Sequence, residues 1–93
     1  IDSMPFEIDV VERRIRQLEI EKAALAKETD DASRSRLETL DAELASLGEE
    51  RDGMVAHWQA EKHAIAAIRE EKERLEQARL DAERAERDRL LLG

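Results

Sequence analysis

The stretch ERRIRQLEIEKAALAKETDDASRSRLETLDAELASL, residues 12–47, decides the fold. Its opening places Ile15, Leu18 and Leu25 three, four or seven residues apart, and its close does the same with Leu37, Leu40, Leu44 and Leu47. Such spacing fills the a and d positions of a heptad, one face of an α-helix. Between the two runs, Glu28, Thr29, Asp30, Asp31, Ala32 and Ser33 break the rhythm. Asp30 or Asp31 can cap the second run there, with its negative charge at the positive end of the helix dipole. Two apolar stripes joined by a short polar break predict a tight helical hairpin.

Working outward, Ile8 and Val11 extend the first stripe upstream, and Met54, Trp58, Ile65, Ile68, Leu75 and Ala82 extend the second downstream. Ser3, Pro5 and Glu7 read as a helix start, because a serine oxygen can accept an orphan amide and proline lacks one. A glutamate three residues after Ser3 would complete a capping box; Phe6 stands there instead, which moves the acid to Glu7. Helix one is placed at about residues 4–28 and helix two at about 31–90, roughly 36 and 90 Å at 1.5 Å per residue. The predicted fold is all-α: an antiparallel helical hairpin with one short and one very long helix, a coiled coil, as a single domain over residues 1–93. Antiparallel pairing sets Leu25 near Leu37, Leu18 near Leu44, Ile15 near Leu47 and Ile8 near Met54, with Phe6 beside Trp58.

Helix one covers only the opening half of helix two. Ile65, Ile68, Leu75 and Ala82 therefore form an unpartnered seam, although burying each large aliphatic would contribute about 1.5–3 kcal/mol. Pairs such as Glu12–Arg16, Glu70–Arg74 and Glu83–Arg87 offer only about 0.2–0.5 kcal/mol each to a lone helix. A missing partner segment or a second chain is expected to cover the seam. Arg51, Glu61, Lys72 and Arg79 occupy seam positions that are normally apolar; they either set register against a polar partner or lift their charged ends to water. Gly48 and Gly53 read as a soft point between two halves or as residues tolerated on outward positions.

Composition agrees with a rod. Of 93 residues 43% are charged and 2% aromatic, too little material for a thick globular core. The formal net charge of −8 repels phosphate backbones, so neither nucleic acid nor an anionic membrane is an expected partner. The last third differs: residues 61–93 hold nine acids and eight bases, an arginine-dense and nearly neutral surface suited to ion pairing with another protein. With no cysteine, disulfides and thiolate metal sites are excluded, and a reducing compartment fits. No apolar run reaches the roughly 18 residues that span a bilayer. No secretory signal opens the chain, and a cytoplasmic location is expected. A start without methionine suggests a fragment.

The chemistry of catalysis is not legible. The glycines are Gly48, Gly53 and Gly93, so no phosphate-binding loop can be built from them. His57 and His63 lie six apart, on different helical faces, and read as solvated histidines rather than metal ligands. Ser3, Ser33, Ser35 and Ser46 lack a positioned histidine and orienting acid. No catalytic residue, cofactor or metal is expected, and an enzyme is the weakest class.

Five segments taken in order point to a family: IDSMP at 1–5, ERRIRQLEIEKAAL at 12–25, KETDDASRSRLETL at 27–40, HWQAEK at 57–62 and LEQARLDAERAER at 75–87. Together they resemble the middle domain of ClpB-type AAA+ disaggregases. The resemblance covers nearly the whole chain, without gaps, to about residue 87. It implies a coiled-coil blade of four helices in two wings that share the long second helix, with helix one and the front of helix two as the first wing. From about residue 59 the chain would be half of the second wing. The resemblance further implies a switch: the domain holds down the ATPase of the hexameric AAA+ parent until a DnaK-type chaperone binds the second wing, and disaggregation and refolding follow. Glu28 and Lys72 match positions whose charges help hold the repressed state. Glu76, Gln77 and Leu80 would belong to the chaperone-facing surface. Relatives follow the last arginines with a Gly-Asp-Leu turn and a Tyr-Gly segment, whereas Asp88, Arg89 and three leucines lead here to Gly93, which weakens the expected chaperone binding by this piece. The rival from composition and periodicity is a homo-oligomeric structural rod, self-associated along Ile65 to Ala82.

Overall fold

The computed structural model describes residues 3–93, so Ile1 and Asp2 of the IDSMP segment lie outside the described residues. Two α-helices account for nearly all of it: α1, Phe6–Leu25, and α2, Asp31–Leu92. The fold is the all-α helical hairpin with one long helix, and no strand occurs among the described residues. Contacts divide the chain into two units, Ile1–Ala60, the hairpin, and Glu61–Gly93, the arm.

Both ends of α1 differ from the positions that periodicity suggested. Pro5, with φ −56° and ψ 145°, is the N-cap residue, and no side chain caps this end. The ring of Pro5 drives Met4 out of the helical region, so a helix cannot start at residue 4 and Ser3 lies too far out to serve. The Ile8 amide instead donates to the Pro5 carbonyl at 3.1 Å. Glu7 and Asp9 place negative charge in the first turn, where the helix dipole favours it.

At the other end α1 stops at Leu25. The Ala26 amide still donates to the Lys22 carbonyl at 2.9 Å, but the Glu28 amide donates to the Leu25 carbonyl at 3.0 Å, a tighter turn. The reversal needs no glycine, and no positive φ occurs among the described residues. On the far side Asp30 is the cap: one carboxylate oxygen accepts from the Ser33 amide at 3.1 Å and the other from the Ser33 hydroxyl at 2.7 Å. Of the two candidate caps, Asp30 therefore performs the role.

The core of the hairpin consists of Ile8, Val11, Ile15 and Leu18 from α1 and Leu40 from α2, the last fully covered at 0% exposure. Leu25, Leu37, Leu44, Leu47, Met54 and Trp58 are half-buried, as a contact between just two helices covers each on one side. Phe6, expected beside Trp58, is 70% exposed. It opens the helix, and its side chain forms no part of the buried stripe.

Candidate functional site

Among the described residues three ion pairs cross the hairpin. Arg36 on α2 donates through Nε to Glu21 on α1 at 2.7 Å and through a terminal nitrogen at 3.3 Å, a two-point clasp. Lys22 meets Asp41 at 2.7 Å, and Arg14 meets Glu43 at 3.8 Å. Residues 14–22 of α1 thus stand beside 36–43 of α2, antiparallel and close to the apolar register. The Arg36 hydrogen bond holds the Glu21 carboxyl below its ordinary range, and the same bond raises Arg36. Asp30 is lowered by the Ser33 hydroxyl first and by the Ser33 amide second.

Glu28 lies in the exposed turn between the helices, held by its backbone rather than its carboxylate. Lys72 lies on the exposed helix of the arm. Neither side chain has an ion-pair partner among the described residues, so both charges are presented to solvent.

The arm presents a row of a different kind. Ile68 is 55% exposed and Leu75 68% exposed. Ala82 is exposed, while Ile65 is half-buried. The bare row therefore starts at Ile68. Beside it, Glu76 receives both Nε and a terminal nitrogen of Arg79, at 3.2 and 2.6 Å, and Arg79 also donates to Glu83 at 2.6 Å. These bonds raise Arg79, with Glu76 the larger cause. Gln77 donates its amide to Asp81 at 3.0 Å, and Leu80 is 44% exposed in the same stretch.

Sequence spacing named none of these ion pairs. The pairs formed are Asp9–Arg13, Glu71–Arg74, Glu76–Arg79, Arg79–Glu83 and Glu86–Arg89, rather than Glu12–Arg16, Glu70–Arg74 and Glu83–Arg87. Where several carboxylates lie within one turn, the long guanidinium reaches i−3 as easily as i−4. The cross-hairpin clasp had no periodic signal at all. Of the polar seam residues, Arg51 is half-buried and its Nε lies 3.2 Å from Asp52 of the next position.

Gly48 and Gly53 are ordinary helix residues of α2. A methyl at Gly53 would meet nothing within 4 Å, and at Gly48 an Arg51 nitrogen at 4.0 Å, which favours tolerated outward positions over a soft point. His57 and His63 are both exposed. Among the described residues no group of three or more His, Asp or Glu is placed to hold a metal. No helix of the described residues is long and apolar enough to cross a membrane.

A two-helix hairpin whose second helix runs on with an exposed apolar row has the form of a coiled coil. Comparison with known proteins names its kind. Over 88 residues it is 57% identical to the chaperone protein ClpB of Mycobacterium leprae, and over 86 residues 55% identical to that of Bacillus cereus. Over 88 residues it is 53% identical to that of Mycobacterium tuberculosis. The matches cover 95%, 92% and 95% of this chain. The chain is similar to one segment of ClpB chaperones and spans about 10% of the length of the relatives it matches. No protein-family model and no solved structure matches it.

Proposed function

We propose that this chain is the front portion of the middle domain of a cytoplasmic ClpB-type disaggregase, a regulatory module that couples a DnaK-type chaperone to the parent's ATPase. The observation that most supports this reading is the 57% identity to a ClpB over 95% of the chain. The hairpin is the first wing, and the arm with Ile68, Leu75 and Ala82 is the shared helix whose covering helices belong to the rest of the parent. Glu76, Gln77 and Leu80 lie on the chaperone-facing side.

The mechanism is a population shift. A docked blade holds hydrolysis down, a released blade frees it, and any contact stronger in one state biases the balance. Glu28 and Lys72 supply such contacts to the AAA+ modules of the hexamer. Their charges meet no partner within the described residues, so their favourable interactions remain available to the ring.

The test uses the full-length parent. Lys72→Glu reverses the charge on an exposed residue, where the hairpin core is untouched. Basal ATPase turnover should rise about 5-fold or more, the lower end of ordinary coupling between sites. Unchanged turnover with intact hexamers would remove the assignment of Lys72 to the repressing contact.

A further inference from the structure

Four of the charges that cross the hairpin form a square of alternating sign. Arg14 and Glu21 lie one heptad apart on α1, and their partners Glu43 and Arg36 lie one heptad apart on α2. The Glu21–Arg36 hydrogen bond does most to lower Glu21 and to raise Arg36; Arg14 adds to the first shift and Glu43 to the second. Lys22 with Asp41 is a further pair across the hairpin. The apolar seam is less selective. Its spacing sets Ile8, Val11, Ile15 and Leu18 level with Met54, Arg51, Leu47 and Leu44. Were α1 slid one heptad toward the turn, about 10 Å at 1.5 Å per residue, the same four would face Leu47, Leu44, Leu40 and Leu37. Four leucines would be gained in place of two leucines, a methionine and an arginine, while Leu25 would lose Leu37. Apolar burial alone does not choose between the two levels.

We propose that the charges crossing the hairpin are a register lock, which holds α1 at one level on α2 by opposing a slide of one heptad in either direction. A slide toward the turn sets Arg14 opposite Arg36 and Lys22 opposite Arg34, like charges in both places, and leaves Glu21 against Thr29. The reverse slide sets Glu21 opposite Glu43 and Lys22 opposite Gly48, and it brings Leu18 level with Arg51; Arg14 with Glu50 is its one new attraction. Each exposed pair changes a population by only about 2-fold. A slide, however, breaks three attractions together and adds at least one repulsion, and the factors multiply. The locking charges all lie between residues 14 and 43, so the lock is independent of what covers the arm. Its consequence is mechanical: helices that cannot slide past one another carry a displacement of the tip as a rigid strut, with Glu28 in the turn at a fixed height above Leu40. The lock goes beyond the proposed regulatory role, which concerns what the hairpin touches rather than how its two helices are held.

Spin-label distances test it. The chain holds no cysteine, so labels can be attached through Ala24→Cys and Glu49→Cys, both at exposed positions, with labelled chain diluted into unlabelled chain so that only distances within one molecule are read. With the charges unaltered a single distance should appear. Arg34→Glu together with Arg36→Glu turns both like-charge encounters of the slid level into attractions and turns the Glu21 clasp into a repulsion. A second distance, longer by about 7–10 Å, should then appear in at least about a tenth of the molecules. Adding Glu21→Arg, which restores opposite charges at the original level, should return the population to the shorter distance. A lone, unshifted distance in the Arg34→Glu, Arg36→Glu variant overturns the lock. Loss of any defined distance in that variant, unrepaired by Glu21→Arg, overturns it as well, because the charges would then support folding without choosing the level. Two distances in comparable shares with the charges unaltered also overturn it, since the helices would be sliding in spite of them.

Discussion

Leu40 and Leu75 are the same residue at equivalent seam positions of the same helix, yet Leu40 is fully covered and Leu75 is 68% exposed. The difference between hairpin and arm is supplied by α1, which lies against one and has no counterpart on the other among the described residues. An apolar heptad specifies where a helix can be buried, and only a second helix makes it so. Without one, the same α-helix is held by local ion pairs, which contribute far less than burial.

That contrast breaks first under truncation of the two leucines. Leu40→Ala should cost about 2–5 kcal/mol in urea unfolding, because it removes a fully enclosed side chain and leaves a cavity. Leu75→Ala should stay within about 0.5 kcal/mol. Equal losses would mean that the arm is as well packed as the hairpin. The next effect is smaller and of opposite sign. Gly53→Ala should stabilise the hairpin by about 1 kcal/mol, since the backbone is ordinary helix and the added methyl meets nothing within 4 Å. A loss of stability there would return Gly53 to the role of a soft point.

The smallest effect sharpens the contribution of charge to the hairpin. Glu21 and Asp30 both titrate below their ordinary values, Glu21 through Arg36 and Asp30 through Ser33. A depressed carboxyl adds stability that is fully present above its unfolded value and is lost as pH falls through the lower folded value. The melting midpoint should therefore be level from about pH 7 to about pH 5 and decline below about pH 4. In the Glu21→Gln, Asp30→Asn double variant that decline should be shallower; an equally steep one would assign it to other acids.

Helicity, the hairpin, the inward stripe of α1 and the break near residue 30 were all legible in the chain, because each depends on spacing along one helix or on residue types at its ends. The resemblance to ClpB was legible for the same reason, being an ordered set of local segments. The Ser3 cap was misread because Pro5 constrains the residue before it more strongly than the serine side chain favours a cap. Ion-pair choice was misread wherever one guanidinium had several carboxylates in reach.

The linear order of residues thus determined which face each helix would bury and how much longer one helix is than the other, since periodicity and helix-breaking are properties of neighbours in the chain. Tertiary structure alone decided that Leu40 is the deepest side chain and that Glu21 clasps Arg36. The reason is physical: both depend on how two helices distant in sequence stand side by side, and the 3-4 spacing repeats too regularly to single out one leucine or one charged pair.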